Sequence, residues 1–261
     1  MDSLNPDSPI AAEQPVASSP RVWKFWGTAL WGFVVFLGMV VGQFAVVAWF
    51  LLRHDGPIGW DSFGDAVTAV VSNGLTISLS VITGLPAVLA ALWIAIRIKR
   101  ANFADYLALR SFSWASLGIG VVALFVLVMG WDALSRATGR EVEPGFMGDV
   151  LKTARADNAL WLLVIAFCVA APITEELFAR GFLYRGWSES FLRVPGAIVL
   201  SSLVWTGLHL QYNWYFLGEV FSIGVLLGYI RHRYNSTWLT IILHGLNNFA
   251  AVAQTFLLTS S

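Results

Sequence analysis

The stretch Ala171-Pro172-Ile173-Thr174-Glu175-Glu176-Leu177-Phe178-Ala179-Arg180-Gly181 decides the reading of this chain. It sets two adjacent carboxylates and an arginine in surroundings as apolar as lipid, for residues 159–173 carry no charge. Ionisable groups at membrane depth are costly and by default mark function. On a continuous helix Glu176 and Arg180 are i,i+4 neighbours and pair on one face. Glu175 is turned about 100° from Glu176 by the 3.6-residue period and points elsewhere. One carboxylate is therefore engaged and one is free. The competing reading is an ordinary salt bridge near a helix end.

Two later stretches bear on that choice. Ser-Leu-Val-Trp-Thr-Gly-Leu-His-Leu over 202–210 puts His209 in a hydrophobic run. Ile-Ile-Leu-His-Gly-Leu-Asn-Asn-Phe over 241–249 puts His244 and Asn248 on one helix face. A lone buried histidine is usually a satisfied core residue. Four polar groups of these kinds on three apolar helices are harder to explain as packing. Glu175, His209, His244 and Asn248 together supply a base, a water-orienting group and two donors for an oxyanion.

The three stretches resemble the motifs of the CPBP family of intramembrane proteases, also called the Abi or CAAX-protease-like family. That family carries Glu-Glu-x-x-x-Arg, Phe-x-x-x-His and His-x-x-x-Asn. The matches here are Glu175-Glu176 with Arg180, Trp205 with His209, and His244 with Asn248, Trp205 standing where the family usually has Phe. The resemblance covers about residues 155–258. It implies an intramembrane endopeptidase that needs no cofactor and hydrolyses a membrane-associated peptide or protein. By the same resemblance Glu175 is the general base on a water shared with His209, and His244 and Asn248 donate to the oxyanion. Glu176 and Arg180 would orient these groups, and Trp205 and Phe178 would form apolar walls for a lipid-like substrate.

Other readings stay open at this point. Glu175, His209, His244 and Asn248 are also a ligand set for zinc, with bound water as nucleophile. The His-Glu-x-x-His signature of helical zinc peptidases is absent from the chain. A non-catalytic scaffold or bacteriocin-immunity protein is a further alternative, although it has no need of four such groups together. A proton-coupled transporter would be expected to carry internal repeats, whereas each motif occurs once.

Composition gives the class. Of 261 residues 57% are hydrophobic and 12% charged, against about 25% charged in soluble domains. The expected fold is an all-α polytopic membrane bundle in the lipid bilayer. With formal net charge zero, nucleic-acid partners are not indicated. The single cysteine, Cys168, rules out an intrachain disulfide and is expected to pack.

Residues 1–22, with Pro6, Pro9, Pro15 and Pro20, read as a disordered cytoplasmic tail, and 23–258 as one transmembrane domain. The first apolar run is too long for the core of a cleavable leader. Seven crossings are expected, at 25–52, within 66–96, and at 115–134, 159–187, 197–210, 214–230 and 237–258. An eighth segment remains open, as in some family members. Gly84-Leu85-Pro86 either kinks the second stretch, or its first part lies along the surface. Gly38/Gly42 and Gly224/Gly228 are faces for close packing, within one chain or between copies. Arg21 and Lys24, then Arg97, Lys99 and Arg100, then Arg231 and Arg233, place the amino terminus and these turns in the cytoplasm. The compact loops suggest a bacterial plasma-membrane protein.

Residues 101–113 read as a short amphipathic cytoplasmic segment and 137–157 as a solvated outer connection, with Asp132 and Arg136 able to pair just before it. His54 and His232 read as surface residues. Glu219 reads as either a site acid or a group facing a polar interface. One conflict follows from a simple ladder of helices. His209 falls towards the outer end of its helix and His244 towards the cytoplasmic start of its own. Shifted helix ends or a broken element must reconcile them.

Overall fold

A computed structural model describes residues 21–53, 62–140 and 145–260. The tail before residue 21, His54, the turn at Gly56-Pro57 and Pro144 lie outside the described residues. Within them the chain forms ten helices and no strand. These are α1 (Phe25–Leu52), α2 (Phe63–Val71), α3 (Gly74–Ile98), α4 (Phe103–Tyr106), α5 (Trp114–Ala137), α6 (Gly145–Ala156), α7 (Leu160–Ser188), α8 (Arg193–Thr206), α9 (Trp214–Tyr234) and α10 (Thr237–Ser260).

Side chains at the loop ends start several of these helices. Asn73, Asn102, Ser113 and Asn213 each accept a backbone N–H from the first turn of α3, α4, α5 and α9. Such caps satisfy donors that have no partner inside the helix. Asn73 also divides the apolar stretch 66–96, so its first part is the separate helix α2 and Pro86 lies within α3. Asn235 ends α9 in the left-handed conformation, with φ +48°.

Five helices, α1, α3, α5, α7 and α10, are long and apolar enough to cross a membrane. The bundle is that of an integral membrane protein. Seven helices of this kind were expected. α8 has 14 residues, about 21 Å of helix against a hydrocarbon core of about 30 Å. α9 carries Glu219, Arg231 and Arg233 in its 21 residues and falls outside the apolar class. α7 is the central helix: 56% of its most apolar window is buried, against 6% for α1. α1 instead exposes Trp26, Phe33, Phe44 and Trp49, as suits a lipid-facing helix.

The glycine faces pack inside this chain. A Cβ on Gly42 would stand 3.0 Å from the backbone of Gly84 on α3, and one on Gly228 would meet Ile198 of α8 at 3.0 Å. One connection differs from expectation. Residues 145–156 are not a solvated loop but α6, whose Val150, Leu151 and Ala154 are buried with Leu163 and Val252. Arg231, near the end of α9, is buried. It is 2% exposed, with Nε donating to Thr237 Oγ1 and Nη1 to Asn235 Oδ1. His232 is exposed, with Nδ1 at 2.9 Å from the hydroxyl of Tyr184. Asp132 and Arg136 pair at the end of α5 as expected.

The segment after α4 resolves the conflict of depths. Leu107 and Ala108 are buried, and Leu107 reaches Gly181 on α7, where an added Cβ would stand 3.0 Å away. The start of α10 is tied to this inserted segment. Thr237 N donates to Ala108 O at 2.9 Å, Thr237 Oγ1 to Leu107 O at 2.5 Å, and Ser236 Oγ to Arg110 O at 2.6 Å. α10 therefore begins level with Gly181, well inside the end of α7. Climbing from Gly181 to Glu175 takes about 9 Å of helix, and from Thr237 to His244 about 10 Å. α8 runs back along α7 from the turn at 189–192 and brings Trp205 to the same level, about 18 Å in.

Candidate active site

The centre of α7 is not a regular α-helix. Residues Ala166–Ala170 and Leu177–Leu183 have π geometry, and Glu175 and Glu176 end the α-helical turn between them. π turns leave backbone groups out of the regular ladder. Pro172 adds to this because it has no N–H to give. The Phe167 carbonyl, five residues earlier, accepts the Asn248 amide Nδ2 at 2.8 Å instead. Gly245 permits that approach: a Cβ there would lie 2.6 Å from the Cys168 carbonyl.

Glu176 and Arg180 pair as their spacing predicts, at 2.8 Å with both side chains wholly buried. Arg180 also donates through Nη2 to Gly224 O on α9 at 3.0 Å, and its guanidinium lies 4.4 Å from the Trp205 ring centre. Gly224 is the residue that allows this, since a Cβ would stand 3.0 Å from Trp205 and 3.3 Å from Arg180. The same Glu176 oxygen, Oε1, accepts His244 Nδ1 at 3.1 Å. Glu176 thus connects α7 to α10, and Arg180 connects it to α9.

Glu175 turns the other way, as the helical period requires. Its Oε2 accepts the Trp205 indole N–H at 2.5 Å and lies 3.8 Å from His209 Nε2 and 4.0 Å from His244 Nε2. Unlike Glu176 it is partly open, with 17% of its side chain exposed. His209 sits in a 3₁₀ turn, Gly207–His209, that follows α8. Its Nδ1 lies 3.0 Å from the Trp205 carbonyl, an acceptor only. Nδ1 therefore carries the proton, and in the neutral ring Nε2 presents a lone pair towards Glu175. Two acceptors 3.8 Å apart do not bond directly. A water donating one hydrogen to each meets both requirements.

Among the expected site residues, Glu175, His209 and His244 come together from α7, the turn after α8, and α10. Asn248 is one turn beyond His244 and gives one N–H to Phe167, keeping a second. Trp205 is not an open substrate wall: it is 3% exposed and donates to Glu175. Phe178 is not one either, being buried in the core with Val35, Val88 and Leu92. Glu219 forms no hydrogen bond or ion pair among the described residues, and its neighbour Gly218 faces Trp131 of α5. Sequence reading missed the indole donor, the backbone acceptors Phe167 and Gly224, and Tyr212, whose ring stacks on His209 at 6.2 Å. It also missed a cavity of about 210 Å³ beside Glu175, walled by Phe36, Met39, Val40 and Gln43 of α1 with Gly207 and Leu208.

An apolar helical bundle with a partly open carboxylate faced by two histidines is an integral membrane protein with a polar centre suited to hydrolysis. Residues 157–250 match the family model described as type II CAAX prenyl endopeptidase Rce1-like. The chain is similar to UPF0177 protein YbdI of Lactococcus lactis subsp. lactis, 30% identical over 152 residues that cover 56% of this chain and 77% of that one. It is also similar to UPF0177 protein YajF of the same organism, 24% identical over 168 residues, 62% of this chain and 77% of that one. No solved structure matches it. The chain belongs to the CPBP, or Abi, family.

Proposed function

We propose that this protein is an intramembrane endopeptidase that hydrolyses a peptide bond of a membrane-associated peptide or protein with water activated by Glu175. One observation carries the reading: Glu175 Oε2 and the bare Nε2 of His209 face each other 3.8 Å apart, a spacing that one water fills. That water loses a proton to Glu175 as its oxygen attacks the scissile carbonyl, and His209 keeps its second hydrogen oriented. The carbonyl becomes an oxyanion, which His244 and the spare N–H of Asn248 stabilise. His244 donates its Nδ1–H to Glu176 as a hydrogen bond and keeps that proton; it reaches the oxyanion through Nε2 when that nitrogen is protonated as well. Arg180 and Glu176 hold that ring in place from behind. Collapse of the intermediate breaks the C–N bond, and the proton on Glu175 passes to the leaving amine.

The family match supports a peptidase. The bacterial relatives support a bacterial plasma-membrane protein. The cytoplasmic amino terminus is supported by the gathering of basic residues at one end, where Lys99 stacks on Trp23 and the Arg110 carbonyl binds Ser236. A metal-free mechanism follows the family pattern. The test is peptide hydrolysis by the purified full-length protein in lipid vesicles, with and without chelators. Cleavage that needs Glu175 and survives chelation upholds the reading. Cleavage lost on chelation and restored by zinc assigns Glu175, His209, His244 and Asn248 to a metal instead.

A further inference from the structure

We infer that Gln43 of α1 is a substrate-positioning residue, whose side-chain amide holds the main chain of an extended peptide in the cavity beside Glu175. The inference rests on the hydrolase reading for its substrate class, and on separate geometry for its site. Phe36, Met39, Val40 and Gln43 line the cavity of about 210 Å³ from one side, with Gly207, Leu208 and Glu175 across from them. Their i, i+3, i+4, i+7 spacing makes them a single face of α1. The first three are apolar and the last is an amide. No described residue hydrogen-bonds the half-buried Gln43 side chain, although it sits well inside an otherwise apolar helix. An amide kept at membrane depth without a partner costs free energy unless something supplies the missing bonds.

A peptide main chain is the ligand that fits. It enters a membrane protease carrying N–H and C=O groups that lipid cannot satisfy. A glutamine amide offers one acceptor and two donors, the complement of one peptide unit. The wall from Phe36 to Gln43 is about 10 Å long by helical rise, the reach of about three extended residues at roughly 3.3 Å each. Gln43 therefore holds a peptide unit a few residues from the bond over Glu175, while Phe36, Met39 and Val40 take its apolar side chains. α1 is the least buried of the five long helices, so the peptide slides in sideways from lipid between α1 and the turn at Gly207. Gly207 leaves this path clear. Its φ of −61° suits any residue, and an added Cβ would meet no atom within 4 Å.

The experiment measures peptide cleavage by the full-length protein in phosphatidylcholine–phosphatidylglycerol vesicles, with a pooled library of apolar decapeptides as probe. Gln43→Leu is expected to raise KM about tenfold with kcat changed less than about threefold, the scale of one neutral hydrogen bond. Backbone N-methylation of the best peptide, one position at a time, should find a position that weakens binding to wild type but not to Gln43→Leu. A loss of packing would not produce that pattern. Gly207→Leu should fold normally and lose peptides with bulky side chains first. If no methylated position separates wild type from Gln43→Leu, the inference is overturned while the hydrolase reading stands. If wild type cleaves nothing, a photoreactive residue replacing Gln43 in the Glu175→Gln protein still decides the matter. Capture of the decapeptides there keeps the groove and removes the hydrolase, and no capture removes both.

Discussion

Glu176 Oε1 accepts the Nδ1 proton of His244 at 3.1 Å while accepting Arg180 Nη1 at 2.8 Å. One wholly buried oxygen therefore ties the helix bearing Glu175 to the helix bearing the second histidine. Breaking such a buried pair by removing one partner typically costs about 3–5 kcal/mol. Arg180→Met is expected to destabilise the protein by that amount. Glu175→Gln, whose amide oxygen still accepts the Trp205 indole N–H, should cost no more than about 1 kcal/mol. Thermal unfolding in detergent compares the two. Equal stability of all three proteins would remove the structural role assigned to Glu176 and Arg180.

Shared water predicts non-additivity. If Glu175 and His209 act on the same water, Glu175→Gln and His209→Ala each cost most of the activity, and the double variant is about as slow as the slower single one. Multiplying effects in single-turnover rates would instead assign the two residues to separate steps.

The Phe167 carbonyl gives a rescue experiment. Asn248→Leu leaves that acceptor unpaired, at a cost of about 1–3 kcal/mol. Pro172→Ala restores a backbone N–H five residues after Phe167, within reach in a π turn. The double variant should recover part of the stability lost in Asn248→Leu without recovering catalysis. Purely additive unfolding free energies would contradict this account of the bond.

How legible this was from sequence differed by residue. Glu176–Arg180 could be read because the helical period fixes i,i+4 neighbours on one helix, and the ends of α1 because lipid demands an unbroken apolar run. The convergence of Glu175, His209 and His244 was legible through motif resemblance. The period of one helix carries no information on how helices stand to one another. Hence the burial of Leu107 and Ala108, which sets the level of α10, was not visible. Trp205 was read as a wall because residue type does not reveal where an indole N–H points. α6 was read as loop because its charged residues hide Val150, Leu151 and Ala154, which face inward together. Gln43 left one faint sign, a lone amide in the middle of an apolar crossing.

Close approach of α10 to α7 depends on Gly245. A methyl group there would stand 2.6 Å from the Cys168 carbonyl, so backbone must shift. Gly245→Ala is expected to cost about 1–3 kcal/mol and to lower activity by moving His244 away from Glu175. Unchanged unfolding and activity would mean that α10 has room this packing does not allow.

The most direct test compares new protein amino termini in membranes carrying wild type or Glu175→Gln at matched expression. The account predicts a set of amino termini present with wild type, absent with Glu175→Gln, and unaffected by chelators. Identical sets from the two membranes, with both proteins folded, would contradict it and turn attention to a non-catalytic binding role.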